Sequence, residues 1–203
     1  MSKLALDMLR TRFGADILET HDAHGDETAV VTPSLWKDVC QYLRTDPALD
    51  FDMLVDLCAV DYPARAGAGQ RLEVVLHLYS IKKRHRLRLK ARVGDATLLG
   101  ADVDSLCDVW PGANWFEREV YDMSGVTFRG HPDLRRILLY PEFVGHPLLK
   151  DYPAQRTQPL VDYRSEAEAG VPLEKLAPFH DDEGMPFDRR GLVHPDPTSL
   201  EPS

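Results

Sequence analysis

The sequence predicts an α+β fold: a mixed sheet with helices packed on one side, followed by a further helix and an extended irregular C-terminal arm. Strict alternation of apolar and polar side chains in residues 71–79 and 84–93 predicts two strands. Apolar residues recur at helical spacing near the N-terminus, after residue 32 and after residue 114, which predicts three helices. With 203 residues and a hydrophobic share of 43%, the chain can build one well-cored domain plus a tail.

The first quarter of the chain predicts two helices separated by a hairpin. A stripe of apolar residues predicts a short amphipathic helix that ends near Gly14: Leu4, Ala5, Met8 and Leu9. Residues 17–19 and 28–31 flank a turn-rich loop and predict the two strands of a hairpin. Thr32 and Pro33 have the residue types of an N-cap and a first helical position. They predict a second helix that ends at Asp46-Pro47.

The middle of the chain predicts three strands. Residues 51–60 form an apolar run, and the two alternating segments follow it. The polar positions of the last strand are cationic throughout: Arg84, Arg86, Arg88, Lys90 and Arg92. A side-chain period of two places these five cations on one face of the sheet. That face is either solvated, or a platform for an acidic partner or for an acidic segment of this same chain.

Residues 115–153, here called the signature segment, read WFEREVYDMSGVTFRGHPDLRRILLYPEFVGHPLLKDYP. Residues 105–110 predict a short helix that leads into it. Asn114 as N-cap and Glu117 as the partner in a capping box predict the start of the signature helix, and Gly125 predicts its end. Beyond Gly125 the prolines and His-Pro pairs predict an irregular segment that lies on another surface.

The signature segment resembles that of the thirty-kilodalton subunit of respiratory complex I, the proton-translocating NADH:quinone oxidoreductase. The matching residues are Glu117-Arg118-Glu119, Tyr121-Asp122-Met123, Gly125-Val126, Phe128, Gly130-His131-Pro132-Asp133-Leu134-Arg135-Arg136-Ile137-Leu138, Gly145-His146-Pro147-Leu148 and Lys150-Asp151-Tyr152-Pro153. Ser124 and Leu149 depart from the pattern, since the family usually has an aromatic residue and an arginine there. The resemblance implies these signature or partner-interface residues: Glu117, Arg118, Glu119, Tyr121, Asp122, His131, Pro132, Arg135, Arg136, His146, Pro147, Lys150, Asp151, Tyr152 and Pro153.

The resemblance also implies a function. The chain would be a cofactor-free scaffold subunit of the hydrophilic arm, packed against the forty-nine-kilodalton subunit that reduces quinone. FMN and iron–sulfur clusters would lie on partner subunits. The complex would hold the chain peripherally at the cytoplasmic side of the bacterial inner membrane. The alternative within the same evolutionary module is the equivalent small subunit of a membrane-bound hydrogenase or related dehydrogenase.

The residues themselves lack signatures for redox cofactors. Cys40, Cys58 and Cys107 form no C-x-x-C pair, whereas an iron–sulfur cluster normally needs four closely spaced thiolates. The Gly67-x-Gly69 pair lacks the third glycine of a dinucleotide fingerprint, since residue 72 is Leu. We therefore expect no flavin, nucleotide or cluster on this chain. No apolar run approaches the roughly 18 residues of a membrane span, and the N-terminus lacks the apolar run of a signal peptide.

A metal-dependent hydrolase is the remote alternative from a different class. Glu119 and Asp122 share a helix face, and His131, Glu142 and His146 follow them. The competing interpretation is ionic: Arg118 pairs with Asp122 at i,i+4, and Arg135 and Arg136 anchor the segment to Glu119 and Asp122 or to a partner carboxylate. A second metal set, His21 and His24 with Asp22 and Asp26, is more simply a solvated loop.

These observations predict three regions: a core domain over 1–112, the signature helix and docking segment over 113–153, and an acidic proline-rich tail over 154–203. Residues 151–203 carry 11 acidic and 5 basic side chains and 8 of the 15 prolines. Such a composition cannot build its own core, so we expect the tail to lie extended across a partner. The net charge of −9 makes nucleic acid an unfavourable partner.

Overall fold

The computed structural model describes residues 2–160, so the predicted behaviour of the tail beyond residue 160 lies outside the described residues. Three α-helices occur in this range: α1 (Ser2–Phe13), α2 (Trp36–Thr45) and α3 (Ala113–Ser124). The strands are β1 (Ile17–His21), β2 (Thr28–Val31), β3 (Met53–Asp61), β4 (Leu72–Ser80), β5 (His85–Val93), β6 (Asp102–Asp104) and β7 (Thr127–Arg129). The predicted hairpin and the two alternating strands are therefore present.

Five strands form a mixed sheet in the order β1-β2-β5-β4-β3. Neighbours run antiparallel except β2 and β5, which pair in parallel. The parallel pair brings residues 28–31 beside residues 88–91, so the N-terminal hairpin extends the sheet beyond the strand rich in cations. A second, two-stranded parallel sheet joins β6 to β7. The expected α+β class with a mixed sheet is confirmed.

One face of the large sheet carries the core. The inward positions of β4 and β5 are those that the alternation predicts, and all of them are buried: Leu72, Val74, Leu76, Leu78, Leu87, Leu89, Ala91 and Val93. They join apolar side chains of α1 and α2 in one cluster, among them the fully buried Leu9, Trp36 and Leu43. Burial of a large apolar side chain contributes about 1.5–3 kcal/mol, so this layer holds the helices on the sheet.

The opposite face of the sheet pairs its cations with carboxylates of the same chain. Lys90 Nζ lies 2.7 Å from Glu73 Oε1, and Arg92 contacts both Glu73 and Glu19. Arg88 binds Asp26 at 2.8 Å. Burial alone would raise the pKa of Glu73, but its hydrogen bonds to Lys90 and Arg92 lower it below the ordinary value. Acidic side chains of this same chain therefore balance much of the positive charge on this face. This favours the interpretation in which the cations face acidic groups of the chain over a face that is only solvated.

Several local predictions were wrong. Arg84 belongs to the turn before β5, at φ +54°, and not to the strand. Thr32 does not cap α2: residues 33–35 form a 3₁₀ turn, α2 begins at Trp36, and the Thr32 hydroxyl donates to Asp16 O. Residues 105–110 contain a turn at 107–109 and no helix. The short strands β6 and β7 were missed because three residues are too few to show a period.

None of the helices in residues 2–160 is long and apolar enough to cross a bilayer. The compact unit that contains the sheet extends to Pro159, so the signature segment belongs to the same unit as the sheet.

Candidate functional site

The signature segment begins with α3, whose first turn does not form the predicted capping box. Gly112 precedes the helix, no side chain caps it, and Asn114 is already inside it. Glu117 instead points into the protein, where it is fully buried. Its carboxylate accepts the Leu106 N–H at 2.6 Å and the Ser105 hydroxyl at 2.7 Å. Burial raises the pKa of Glu117. The residue thus ties α3 to the turn after β6.

Asp122 and Arg136, with the backbone N–H groups of residues 137–139, form what we call the Asp122 anchor. The Asp122 carboxylate is fully buried and lies 2.6 Å from Arg136 Nη1. Its other oxygen accepts three consecutive backbone N–H groups at 2.9–3.0 Å. Burial alone would raise the pKa of Asp122, but these N–H groups and Arg136 lower it below the ordinary value. One carboxylate therefore fixes the backbone of the irregular segment.

Backbone carbonyls extend this anchor in both directions. Arg136 Nη2 donates to Gly145 O at 3.0 Å, and His146 Nδ1 donates to Asp122 O at 3.0 Å. Arg118 does not pair with Asp122 as predicted: its guanidinium donates to the carbonyls of Arg135 and Arg136 at 3.0 and 3.1 Å. The prediction that Arg136 anchors the segment to Asp122 matches the geometry. Arg135 instead binds Asp133 at the surface.

A second anchor, here called the Arg71 anchor, consists of Asp61, Arg71 and Asp151. Arg71 is buried and binds Asp61 through two N–H groups at 2.9 and 3.0 Å. Its Nη2 also lies 2.8 Å from Asp151 Oδ1, and Asp61 accepts the backbone N–H of Lys150 at 2.7 Å. Burial would raise the pKa of Asp61, but Arg71 and the Lys150 N–H lower it. This anchor joins the end of the signature segment to the ends of β3 and β4.

Aromatic and amide groups close the segment on itself between the two anchors. The rings of Phe143 and Tyr152 stack at 6.1 Å, and the Arg136 guanidinium lies 5.7 Å from the Phe143 ring. Gly145 has φ +97°, and a Cβ there would lie 3.0 Å from the Tyr152 ring. The Gln158 amide exchanges two hydrogen bonds with the Val144 backbone. A segment without regular structure is therefore held by side chains throughout.

The outer surface of the same segment exposes apolar side chains. The exposed fraction is 71% for Trp115, 61% for Leu138, 57% for Leu148 and 44% for Val144. Exposed apolar side chains mark protein contact sites where they lie together on an ordered surface. The segment therefore offers several large apolar side chains in fixed positions to another protein.

The predicted signature residues divide into three groups. Eight build the interior of the segment or its anchors, and Asp151 does so although it is exposed: Glu117, Arg118, Tyr121, Asp122, Arg136, His146, Asp151 and Tyr152. Five others are exposed: Glu119, Pro132, Arg135, Lys150 and Pro153. His131 and Pro147 are half-buried and belong to neither anchor. Asp61 and Arg71 were missed because they lie far from the segment in sequence, and no local pattern marks them.

The carboxylates and imidazoles proposed for a hydrolase do not converge. Within residues 2–160, Glu119, Asp122, Glu142 and His146 belong to no group of three metal-ligating side chains, and neither do His21 and His24. Asp122 already has Arg136 and three N–H donors as partners. His131 alone joins such a group, with Cys107 and Glu117.

The fold and the site define an α+β domain whose signature segment is held on the sheet domain by the Asp122 anchor and the Arg71 anchor. The chain belongs to the family described as Respiratory-chain NADH dehydrogenase, 30 Kd subunit, whose model matches residues 29–158.

Curated relatives are named as the C subunit of NADH-quinone oxidoreductase. The protein from Xanthobacter autotrophicus is 50% identical over 131 residues, which are 64% of this chain and 59% of the relative. The chain thus spans about 59% of the length of this relative and of the one from Azorhizobium caulinodans. The relative from Geobacter sulfurreducens is 44% identical over 74% of this chain and 89% of its own length.

Two solved structures share the fold. A trypsin-resistant fragment (1–134) of Nqo5 superposes with a TM-score of 0.54 at 26% identity and covers 64% of this chain and 99% of the fragment. A chain of the archaeal membrane-bound sulfane sulfur reductase gives a TM-score of 0.60 over 76% of this chain and 86% of that chain. At 22% identity, the second likeness concerns the fold alone.

Proposed function

We propose that this chain is a cofactor-free scaffold subunit in the hydrophilic arm of a proton-translocating NADH:quinone oxidoreductase, the respiratory complex I. It would act in electron transfer by holding the forty-nine-kilodalton quinone-reducing subunit, and hence the quinone cavity, in place. NADH oxidation at FMN and transfer through iron–sulfur clusters would take place on partner subunits. Assembly would place the chain peripherally at the cytoplasmic side of the bacterial inner membrane.

One observation carries the proposal: the signature segment is fixed from within and exposes several large apolar side chains on the outside. The Asp122 anchor and the Arg71 anchor hold its backbone, while Leu138 and Leu148 stay more than half exposed. Exposing such side chains on a rigid surface is unfavourable in an isolated domain but favourable when a partner covers them. Membership of the family and the names of its relatives support complex I as the complex that this chain joins.

The test replaces the chain in its own host by the double variant Leu138→Glu/Leu148→Glu. We expect loss of NADH:quinone reductase activity in membranes and loss of co-purification with the quinone-site subunit, because two charges would be buried without partners. Ile81→Glu is the matched control, since Ile81 is 58% exposed but lies in the turn between β4 and β5. Assembly of the double variant at the level of this control would refute the proposed interface.

The same purification separates the two related functions. Subunits with flavin and NADH-dependent quinone reduction would support complex I. Subunits with hydrogenase activity and no NADH dehydrogenase would support the equivalent small subunit of a membrane-bound hydrogenase or related dehydrogenase. The fold is shared with a chain of an archaeal sulfane sulfur reductase, so fold alone does not decide. Identities of 42–50% to relatives named for NADH-quinone oxidoreductase favour complex I.

The organisation into a core over 1–112, a docking segment over 113–153 and a tail over 154–203 belongs to the same proposal. In this scheme the exposed signature residues, such as Glu119, Arg135 and Lys150, contact the partner, and the interior ones shape the segment. The acidic tail would lie across the partner subunit. Limited proteolysis tests the tail: rapid trimming of the free chain towards Pro153, and protection in the complex, is the expected result.

A further inference from the structure

Three potential metal ligands from different elements meet beside the first turn of α3. Cys107 lies in the turn after β6, Glu117 on α3, and His131 just after β7. One ligand atom from each lies within 4.8 Å of the other two. Among residues 2–160, this is the one group of three such side chains.

Glu117 differs from the other buried carboxylates in having no cationic partner. Asp61, Glu73 and Asp122 each lie within 3.1 Å of a guanidinium or ammonium group. Glu117 is fully buried, and within the described part of the chain its carboxylate forms no salt bridge. Its contacts are the Leu106 N–H, the Ser105 hydroxyl and, at 3.7 Å, the Cys107 thiol. Buried carboxylates are normally paired or bound to a metal.

We propose that Cys107, Glu117 and His131 bind a zinc ion, which has no redox chemistry and is therefore distinct from the electron-transfer cofactors that the scaffold role places on partner subunits. Thiolate, imidazole and carboxylate are the ligands that zinc takes in proteins, at about 2.0–2.3 Å. Tetrahedral ligands at those lengths are about 3.3–3.8 Å apart. Cys107 Sγ and Glu117 Oε2 already lie 3.7 Å apart, and all three ligand atoms lie within 4.8 Å of one another, so closing the remaining gaps takes at most about 1.5 Å. Three protein ligands leave the fourth position for a water molecule. On binding, the Cys107 thiol releases its proton to solvent, and the thiolate coordinates the metal.

His131 can serve as a ligand at the cost of one hydrogen bond. Its Nε2 donates to Asn114 O at 3.1 Å, and its Nδ1 accepts the Asp133 N–H at 3.0 Å. The ring nitrogen that binds zinc gives up its present partner, and the other continues to orient the ring, as is usual for metal-bound histidines. The zinc would link the turn after β6, α3 and the start of the irregular segment. This inference stands on the chain's own geometry and does not require the proposed function.

The experiment titrates zinc into the full chain, purified without a histidine tag and treated with chelator. We expect one zinc per chain in competition with a chromophoric chelator. Cobalt as a substitute should give a thiolate-to-cobalt charge-transfer band in the near ultraviolet. That band should be lost in Cys107→Ser and retained in Cys58→Ser, which removes another half-buried thiol. A His21→Gln/His24→Gln variant should bind zinc as tightly as the parent.

A second measurement works on the unmodified chain and so does not depend on a variant that folds. Alkylation of each cysteine is followed by mass spectrometry with and without zinc. With free zinc at about ten times its dissociation constant, we expect the modification of Cys107 to slow about tenfold, because only thiol that is not bound to the metal reacts. Cys58 should be unaffected. The proposal is overturned if zinc fails to bind, if Cys107 and Cys58 respond alike, or if binding is lost only in the His21→Gln/His24→Gln variant.

Discussion

Arg136→Ala should destabilise the chain far more than Arg135→Ala, although the two arginines are neighbours. The Arg136 side chain is 16% exposed and pairs with the fully buried Asp122 carboxylate. It also donates to two backbone carbonyls, those of Asp122 and Gly145. The Arg135 side chain is 72% exposed, and its partner Asp133 is 55% exposed. The pair of variants therefore separates a buried ionic contact from a surface one at adjacent positions.

The magnitude follows from what each variant leaves behind. Removing one partner of a buried ion pair costs roughly 3–5 kcal/mol, because the other charge stays buried without compensation. In Arg136→Ala the Asp122 carboxylate keeps three backbone N–H donors, which places the expected loss at the lower end, about 3 kcal/mol. An exposed pair contributes about 0–1 kcal/mol, so Arg135→Ala should cost no more than that.

Urea unfolding of the full chain measures the difference. With an m-value of about 2 kcal/mol per molar urea, the loss in Arg136→Ala would lower the unfolding midpoint by roughly 1.5 M. A double-mutant cycle with Asp122→Asn should show that the two losses are not additive, since both variants break the same contact. Equal midpoints for Arg136→Ala and Arg135→Ala, or additive losses in the cycle, would refute the Asp122 anchor.

Three further predictions test other contacts. Gly130→Ala, at φ +79° with open space around the new Cβ, should lower the free energy of unfolding only by the backbone strain of about 1–2 kcal/mol. Gly125→Ala, at φ +81°, should lower it by about 2–5 kcal/mol, because its new Cβ would also lie 2.8 Å from His146. Equal losses would contradict the packing argument. Asp151→Asn should lower the free energy of unfolding by about 1 kcal/mol, since the Asp151 carboxylate is 64% exposed. Asp61→Asn should lower it by about 3 kcal/mol and should speed amide exchange at Lys150, whose N–H the Asp61 carboxylate accepts. An unchanged exchange rate at Lys150 would count against the Arg71 anchor. The carboxyl groups of Asp61, Glu73 and Asp122 have lowered pKa values in the folded chain, so the unfolded chain binds more protons near pH 4. Their contribution to the free energy of unfolding is complete above that range and is lost as the pH falls through it. Glu73→Gln should therefore flatten the decline of the urea midpoint with falling pH, compared with the exposed control Glu142→Gln.

The sheet and the helices could be predicted from sequence because their signals are local and repeated. In β4 and β5, eight apolar residues at alternate positions all indicate the same inward face, and every one of them is buried. The stripe of α1 likewise places Ala5 and Leu9 in the core. Where an element is too short to repeat a pattern, as in β6 and β7, no such agreement exists and the prediction fails.

Helix caps and ion pairs in the signature segment were harder to predict because residue types that fit one partner also fit others. Asn114 and Glu117 have the composition of a capping box, but the Glu117 carboxylate bonds across the chain to Ser105 and Leu106. Arg118 has the spacing to reach Asp122, yet it donates to carbonyls about 17 residues further on. Local spacing shows which contacts are possible, and the tertiary fold selects among them.

For the proposed scaffold role, the physical importance of the two anchors is that they order the segment before any partner arrives. Ordering a side chain at an interface costs about 0.5–1.5 kcal/mol, and ordering a loop costs more. In this chain the segment is already ordered by folding, because Asp122 binds the backbone of residues 137–139 and Arg71 binds the Asp151 side chain. A substitution at either anchor would leave the free segment less ordered, so that the free energy of ordering it would have to come from binding the partner. We therefore expect variants of these interior residues to weaken assembly even though their side chains lie inside the protein.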